Sequence, residues 1–118
     1  PTAKLRELGK RFVTAVLENQ KYIAIFTREE KHLSPEAYKY INDMRRDFDR
    51  KLTGLLKAGV ESGEFHLRDP HVAALSIGGM VSWAYVWFRA GGRLDLESVA
   101  DEMTVLMLGM VGAGCKQI

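Results

Sequence analysis

The chain has 118 residues, 47% of them apolar and 27% charged, a balance that suits one compact soluble domain with a single core. Seventeen Lys and Arg against 15 Asp and Glu leave a formal net charge of +2, too even to argue by itself for nucleic-acid binding. The single cysteine, Cys115, excludes an intrachain disulfide and fits a reduced, cytoplasmic setting.

The opening Pro1-Thr2-Ala3-Lys4-Leu5-Arg6 has no apolar signal-peptide core, and the lack of an initiating Met points to a fragment or a processed chain. Helical periodicity runs throughout, while alternating β-branched runs and hairpin turns are almost absent. A first helix is expected over about 3–18, with Leu5, Leu8, Phe12, Ala15 and Val16 in one stripe. A shorter second helix spans about 20–31, its apolar part being Tyr22, Ile23 and Phe26. The third has the clearest start: Ser34 as N-cap, Pro35 at the first helical position and Glu36 at the positive end of the dipole. Ala37, Ile41, Met44, Phe48, Leu52, Leu55 and Gly59 then recur at spacings of three and four, opposite a charged face with an Asp47–Lys51 pair. Gly63 is the expected stop. Asp69-Pro70 starts a fourth helix that runs to about 89, and Asp95 caps a fifth.

Residues 72–88 carry no charged side chain, yet the run falls short of the roughly 20 residues a membrane span needs and includes Ser76, Gly78, Gly79 and Ser82. A buried helix is expected, with no membrane partner. The fourth helix has two apolar sides: Val72, Ser76, Met80, Trp83 and Trp87 on one, Ala74, Gly78, Val81 and Tyr85 on the other. The fifth likewise has Leu96, Val99, Met103, Leu106 and Met110 opposite Ser98, Val105, Gly109 and Gly112. A helix apolar all round must be buried all round. Three other helices cannot cover both, so a second copy of the chain is expected. The small-residue sides, Ala74, Gly78, Val81, Tyr85, Ser98, Val105, Gly109 and Gly112, are the expected dimer interface.

The order of motifs from the end of the third helix onward carries a family resemblance. It reads Gly59-Val60-Glu61-Ser62-Gly63-Glu64-Phe65, Asp69-Pro70, Ala73-Ala74, Gly79-Met80, Trp83, Trp87-Phe88-Arg89, Gly91-Gly92-Arg93-Leu94 and Leu108-Gly109-Met110. This resembles the C-terminal half of TetR/AcrR-type transcriptional repressors, and Glu30-Lys31-His32-Leu33-Ser34-Pro35-Glu36 is similar to their middle. The resemblance covers about 3–112. It implies an all-α fold of five helices, the last two forming a four-helix dimer bundle with a second copy and the others enclosing an effector pocket. It also implies that effector binding moves two N-terminal helix-turn-helix heads apart. These 118 residues contain no such head; the first helix would match the one that links head to body. The chain is therefore expected to be an effector-binding and dimerisation domain, with DNA bound only through the N-terminal domain of a parent protein.

Side-chain chemistry points to binding rather than catalysis. His32, His66 and His71 have no metal-ligand spacing. No nucleophile motif, phosphate-cradling loop or supported carboxylate pair is visible, so neither an enzyme nor a cofactor or metal site is expected. The expected pocket is formed by Phe12, Val16, Ile23, Phe26, Tyr38, Ile41, Arg45, Met80, Trp83 and Trp87. Such walls are mostly hydrocarbon and aromatic, with Tyr38 and Arg45 as polar anchors. The leading reading is a sensor whose apolar effector weakens operator binding; acyl-CoA or another lipid-like molecule is the class suggested by analogy. The alternative is a helical dimerisation module with a filled core and no ligand.

Overall fold

The caps written into the sequence start three of the helices. Ser34 Oγ accepts from Ala37 N at 3.1 Å. Asp69 Oδ1 accepts from His71 N and Val72 N at 3.0 and 3.2 Å, and Asp95 Oδ1 from Ser98 N at 2.8 Å. Each supplies an acceptor to an N–H that has no partner inside its helix. Gly63 ends the long helix in the left-handed conformation, φ 82°, which glycine adopts without a Cβ clash.

The computed structural model describes residues 1–28 and 33–113, without the side chains of Tyr22, Phe26, Thr27 and Arg28. Among the described residues the elements are α1 (Thr2–Glu18), α2 (Gln20–Arg28), α3 (Pro35–Ser62), α4 (Pro70–Trp87) and α5 (Leu96–Met110), with no strand. The all-α expectation and all five helices are observed. The expected end of the second helix, 29–31, lies outside the described residues.

α1 is the central post. It packs on α3, α4 and α5, while α4 also rests on α2 and α3, and α5 touches α4 only slightly. Leu5, Val13 and Val16 of α1 meet a core shared with Leu52 and Leu56 of α3, Ile77 and Val81 of α4, and Met107 of α5. Phe12 and Phe48 stack with ring centroids 3.6 Å apart. Two glycines allow close approach. A Cβ on Gly9 would lie 2.6 Å from Met107 Sδ, and one on Gly59 would enter the ring of Phe65. No helix among the described residues is long and apolar enough to cross a membrane.

Two contacts tie distant segments together. Glu64, just after α3, accepts from Thr2 N and Thr2 Oγ1 at 3.0 and 2.8 Å, at the start of α1. These bonds hold its carboxyl below the usual carboxylate range. Gln20 Nε2, at the α1–α2 elbow, donates to Tyr85 O and Phe88 O, both at 2.7 Å. It thereby satisfies carbonyls at the C-terminal end of α4 that the helix itself leaves open.

Candidate functional site

The long apolar stripe of α3 faces α1 and α4 and forms one wall of a cleft. The inner end is a space of about 30 Å³ lined by Phe12, Val16, Ile23, Ile41, Met44, Arg45 and Ser82. A wider mouth of about 260 Å³ is lined by Phe12, Arg45, Asp49, Leu75, Gly78, Gly79 and Ser82. Phe12, Arg45 and Ser82 line both parts. The floor is hydrocarbon because Phe12, Val16, Ile23 and Ile41 come from the buried stripes of three helices. Arg45 and Asp49, four residues apart at the edge of the apolar stripe of α3, bring a guanidinium and a carboxylate to a lining that is otherwise mainly apolar. Asp49 approaches α4 where glycine leaves room: Oδ1 is 3.5 Å from the position a Cβ on Gly78 would take.

Five residues of the expected pocket therefore come together: Phe12, Val16, Ile23, Ile41 and Arg45. The Phe26 side chain lies outside the described residues. Tyr38 is exposed on α3 and lines no part of the cleft. Asp49 and Ser82 were not singled out from sequence. The four-residue step from Arg45 to Asp49 was visible, but it reads equally well as a solvated charged face.

Met80, Trp83 and Trp87 are placed elsewhere. They line a separate groove of about 600 Å³ between α4 and α5, together with Arg93, Leu94, Glu102 and Leu106. Trp83 is 57% exposed and Trp87 50%. Ala74, Val81 and Tyr85, expected at a dimer interface, are buried within the chain, and Gly78 opens onto the cleft. Small side chains let α4 settle closely on its neighbours, and the bulky tryptophans are left outside.

On α5 the buried line is Val99, Ala100, Met103, Thr104 and Met107. Thr104 hides its hydroxyl by donating to Ala100 O at 2.7 Å. Of the expected interface, Val105 and Gly109 are exposed and Ser98 is half-buried. Gly112 instead turns the chain at φ 70° against His66. Exposed large apolar side chains are Val72, Trp83, Val86 and Trp87 of α4 and Val105, Leu106 and Met110 of α5, with Trp83, Trp87 and Leu106 along one groove.

No cluster of three or more His, Cys, Asp or Glu among the described residues could hold a metal. His32 and Cys115 lie outside the described residues, and His71 is exposed at the start of α4. The cleft offers hydrocarbon, one guanidinium, one carboxylate and one hydroxyl, groups that can hold a ligand in a fixed orientation.

Comparison with known proteins gives a consistent answer. The chain is 28% identical over 108 residues to the HTH-type transcriptional repressor KstR2 of Rhodococcus jostii (strain RHA1), covering 90% of this chain and 53% of that protein. It thus spans about half the length of the curated relative it matches. A tetR-family regulatory protein from Rhodococcus RHA1 superposes with a TM-score of 0.78 at 29% identity, over 96% of this chain and 60% of that one. AibR, solved in complex with isovaleryl coenzyme A and operator DNA, superposes at 0.68 with 29% identity, over 90% of this chain and 58% of its own. The family model described as tetracyclin repressor-like, C-terminal domain, matches residues 1–111, and the chain belongs to that family.

Proposed function

We propose that the chain is the effector-sensing and dimerisation domain of a TetR-like repressor. A mostly apolar effector enters the cleft between α1, α3 and α4. Binding weakens the grip on operator DNA of a helix-turn-helix head that lies outside these residues. The observation that carries this reading is the cleft itself: mainly apolar walls with Arg45, Asp49 and Ser82 among them, between α1, α3 and α4. AibR's complex with isovaleryl coenzyme A and operator DNA supports an acyl-CoA or similar lipid-like effector. A regulator of this kind works in the cytoplasm, where its operator is.

A homodimer follows from the open face of α4 and α5. Trp83, Trp87 and Leu106 border one groove there and Val72, Val86, Val105 and Met110 are also exposed on these two helices, more large apolar surface than a monomer leaves in contact with water without a use. Two copies paired across this face would cover the tryptophans and the groove beside them. On this reading the interface is formed by Trp83, Trp87, Val105, Leu106 and Gly109.

One observation favours the plain dimerisation module: Phe12, which lines the cleft, is buried and stacked on Phe48, and the inner space beside it is only about 30 Å³. Thermal unfolding with a panel of acyl-coenzyme A esters separates the two readings. A ligand present at a hundred times its Kd adds about 2.7 kcal/mol, which raises the Tm of a domain this size by several degrees. A Tm unmoved by every ester, with the dimer intact, would leave the module standing.

A further inference from the structure

The groove between α4 and α5 is apolar except for two opposite charges. From 70 to 113 the basic side chains are His71, Arg89 and Arg93, and the acidic ones Asp95, Glu97, Asp101 and Glu102. Most of these are occupied or stand elsewhere. Asp95 caps α5 through Ser98 N, and Glu97 and Asp101 meet Lys10 of α1 at 3.9 and 3.0 Å. His71 stands at the start of α4, and Arg89 lines the neighbouring hollow at the α4–α5 turn. Arg93 and Glu102 remain. Both are exposed, and both line the groove of about 600 Å³ beside Trp83, Trp87 and Leu106. Neither makes an ion pair among the described residues.

Glu102 is not at the edge of its helix face. It shares one side of α5 with Ser98, Val105 and Gly109, at spacings of three and four, and Val105 and Gly109 are exposed. Any surface that covers these residues takes the Glu102 carboxylate out of water with them. An ionised group so covered needs an opposite charge. A second copy brings one. In a two-fold dimer each chain offers what the other receives, so a face with one spare cation and one spare anion can satisfy itself twice. We infer that Arg93 of each chain pairs with Glu102 of the partner subunit, two ion pairs that fix how the copies meet across the open face. This rests on the dimer reading above and adds what selects the partner. Apolar contact is non-directional, whereas a covered carboxylate tolerates only a register that brings it a cation. The planar guanidinium of Arg93 suits that role. Pairs covered by apolar side chains are screened by salt only weakly.

Sedimentation equilibrium of the whole chain tests this. The unmodified protein should dimerise. Arg93→Glu and Glu102→Arg, both at exposed positions, should keep the parent's circular dichroism. Each should raise the dimer Kd at least about ten-fold, because like charges then face each other. An equimolar mixture of the two should recover the parent's association, since one chain offers only acid and the other only base at these contacts. Glu102→Gln should weaken the dimer as well. A mixture no tighter than its components overturns the pairing and leaves the dimer reading intact. So does a Glu102→Gln dimer tighter than the parent, the sign of two carboxylates facing each other, and so do single variants that associate like the parent. A parent chain that stays monomeric overturns both. If a charge reversal fails to fold, Arg93→Gln and Glu102→Gln decide: non-additive effects on Kd support the pairing, and additive ones overturn it.

Discussion

Asp95 shows how one residue can set an element's response to pH. The backbone N–H of Ser98 is the main cause holding its carboxyl below the usual carboxylate range. A depressed folded pKa means that the contribution is present above the unfolded value, about 4, and is lost as pH falls through the folded one. Asp95→Ala should therefore lower Tm by a few degrees at neutral pH, and the difference should vanish in acid; a Tm gap that persists well below about pH 3 would contradict the assignment. Asp47 behaves alike, held down chiefly by its bond to Lys51, with Nζ at 2.9 Å. Glycines carry the other residue-scale test. At Gly9 the obstacle to a Cβ is the sulfur of Met107, which can move, so Gly9→Ala should cost about 1–3 kcal/mol. At Gly59 the obstacle is the buried ring of Phe65, and the cost should exceed that of Gly9→Ala. Urea unfolding of the two variants gives the order directly.

Among the elements, what could be read from sequence followed local chemistry. Ser34, Asp69 and Asp95 announced three helix starts and Gly63 an end because caps are decided by the residue and its next three neighbours. The stripe of α3, from Ile41 to Gly59, was legible because its opposite face is charged. On α4 the same logic had nothing to work on. Both sides are apolar, so periodicity cannot say which one faces in, and the size of Trp83 wrongly suggested the interior. Ala100 and Thr104 escaped notice on α5 because neither is apolar enough to mark a core line, although both are buried. Half of the cleft suffered in the same way: its floor came from readable stripes, whereas Ser82 and Asp49 gained meaning only when α3 and α4 were laid together. Three substitutions test the assignment of faces. Val81→Glu puts a charge in the core and should cost about 3 kcal/mol or more, enough to threaten folding. Trp83→Glu and Gly109→Glu, on the open face, should leave the circular dichroism of each chain unchanged while weakening self-association. If Trp83→Glu unfolds the protein and Val81→Glu does not, the faces are reversed.

At the scale of the whole molecule the chain is flat. Its extents are 50 × 32 × 18 Å and its radius of gyration is 15.0 Å, against roughly 13.5 Å for a compact chain of this length. An 18 Å thickness is less than two helix diameters of about 10–12 Å each. Few side chains can then be far from a surface, and a second copy is the natural source of further burial. The unmodified chain should sediment as a dimer at micromolar concentration, and a stable monomer there would count against the open face as an interface. Buffer salt should matter little, because the exposed residues of that face are mainly apolar and salt screens charges rather than hydrocarbon contacts.

The bond from Gln20 to the end of α4 also affects how the molecule breathes. Helix ends ordinarily fray on their own, exchanging their amide protons without disturbing the rest. Here the carbonyls of Tyr85 and Phe88 are held by a side chain more than sixty residues earlier, so the last turn of α4 can open only if the α1–α2 elbow lets go. The two form one cooperative unit despite their distance along the chain. Deuterium uptake at the Val86, Trp87 and Phe88 amides should report on that elbow, and Gln20→Ala should speed it while leaving the middle of α3 as protected as before. Equal acceleration in α3 would mean that the substitution had loosened the whole domain and that no separate unit exists.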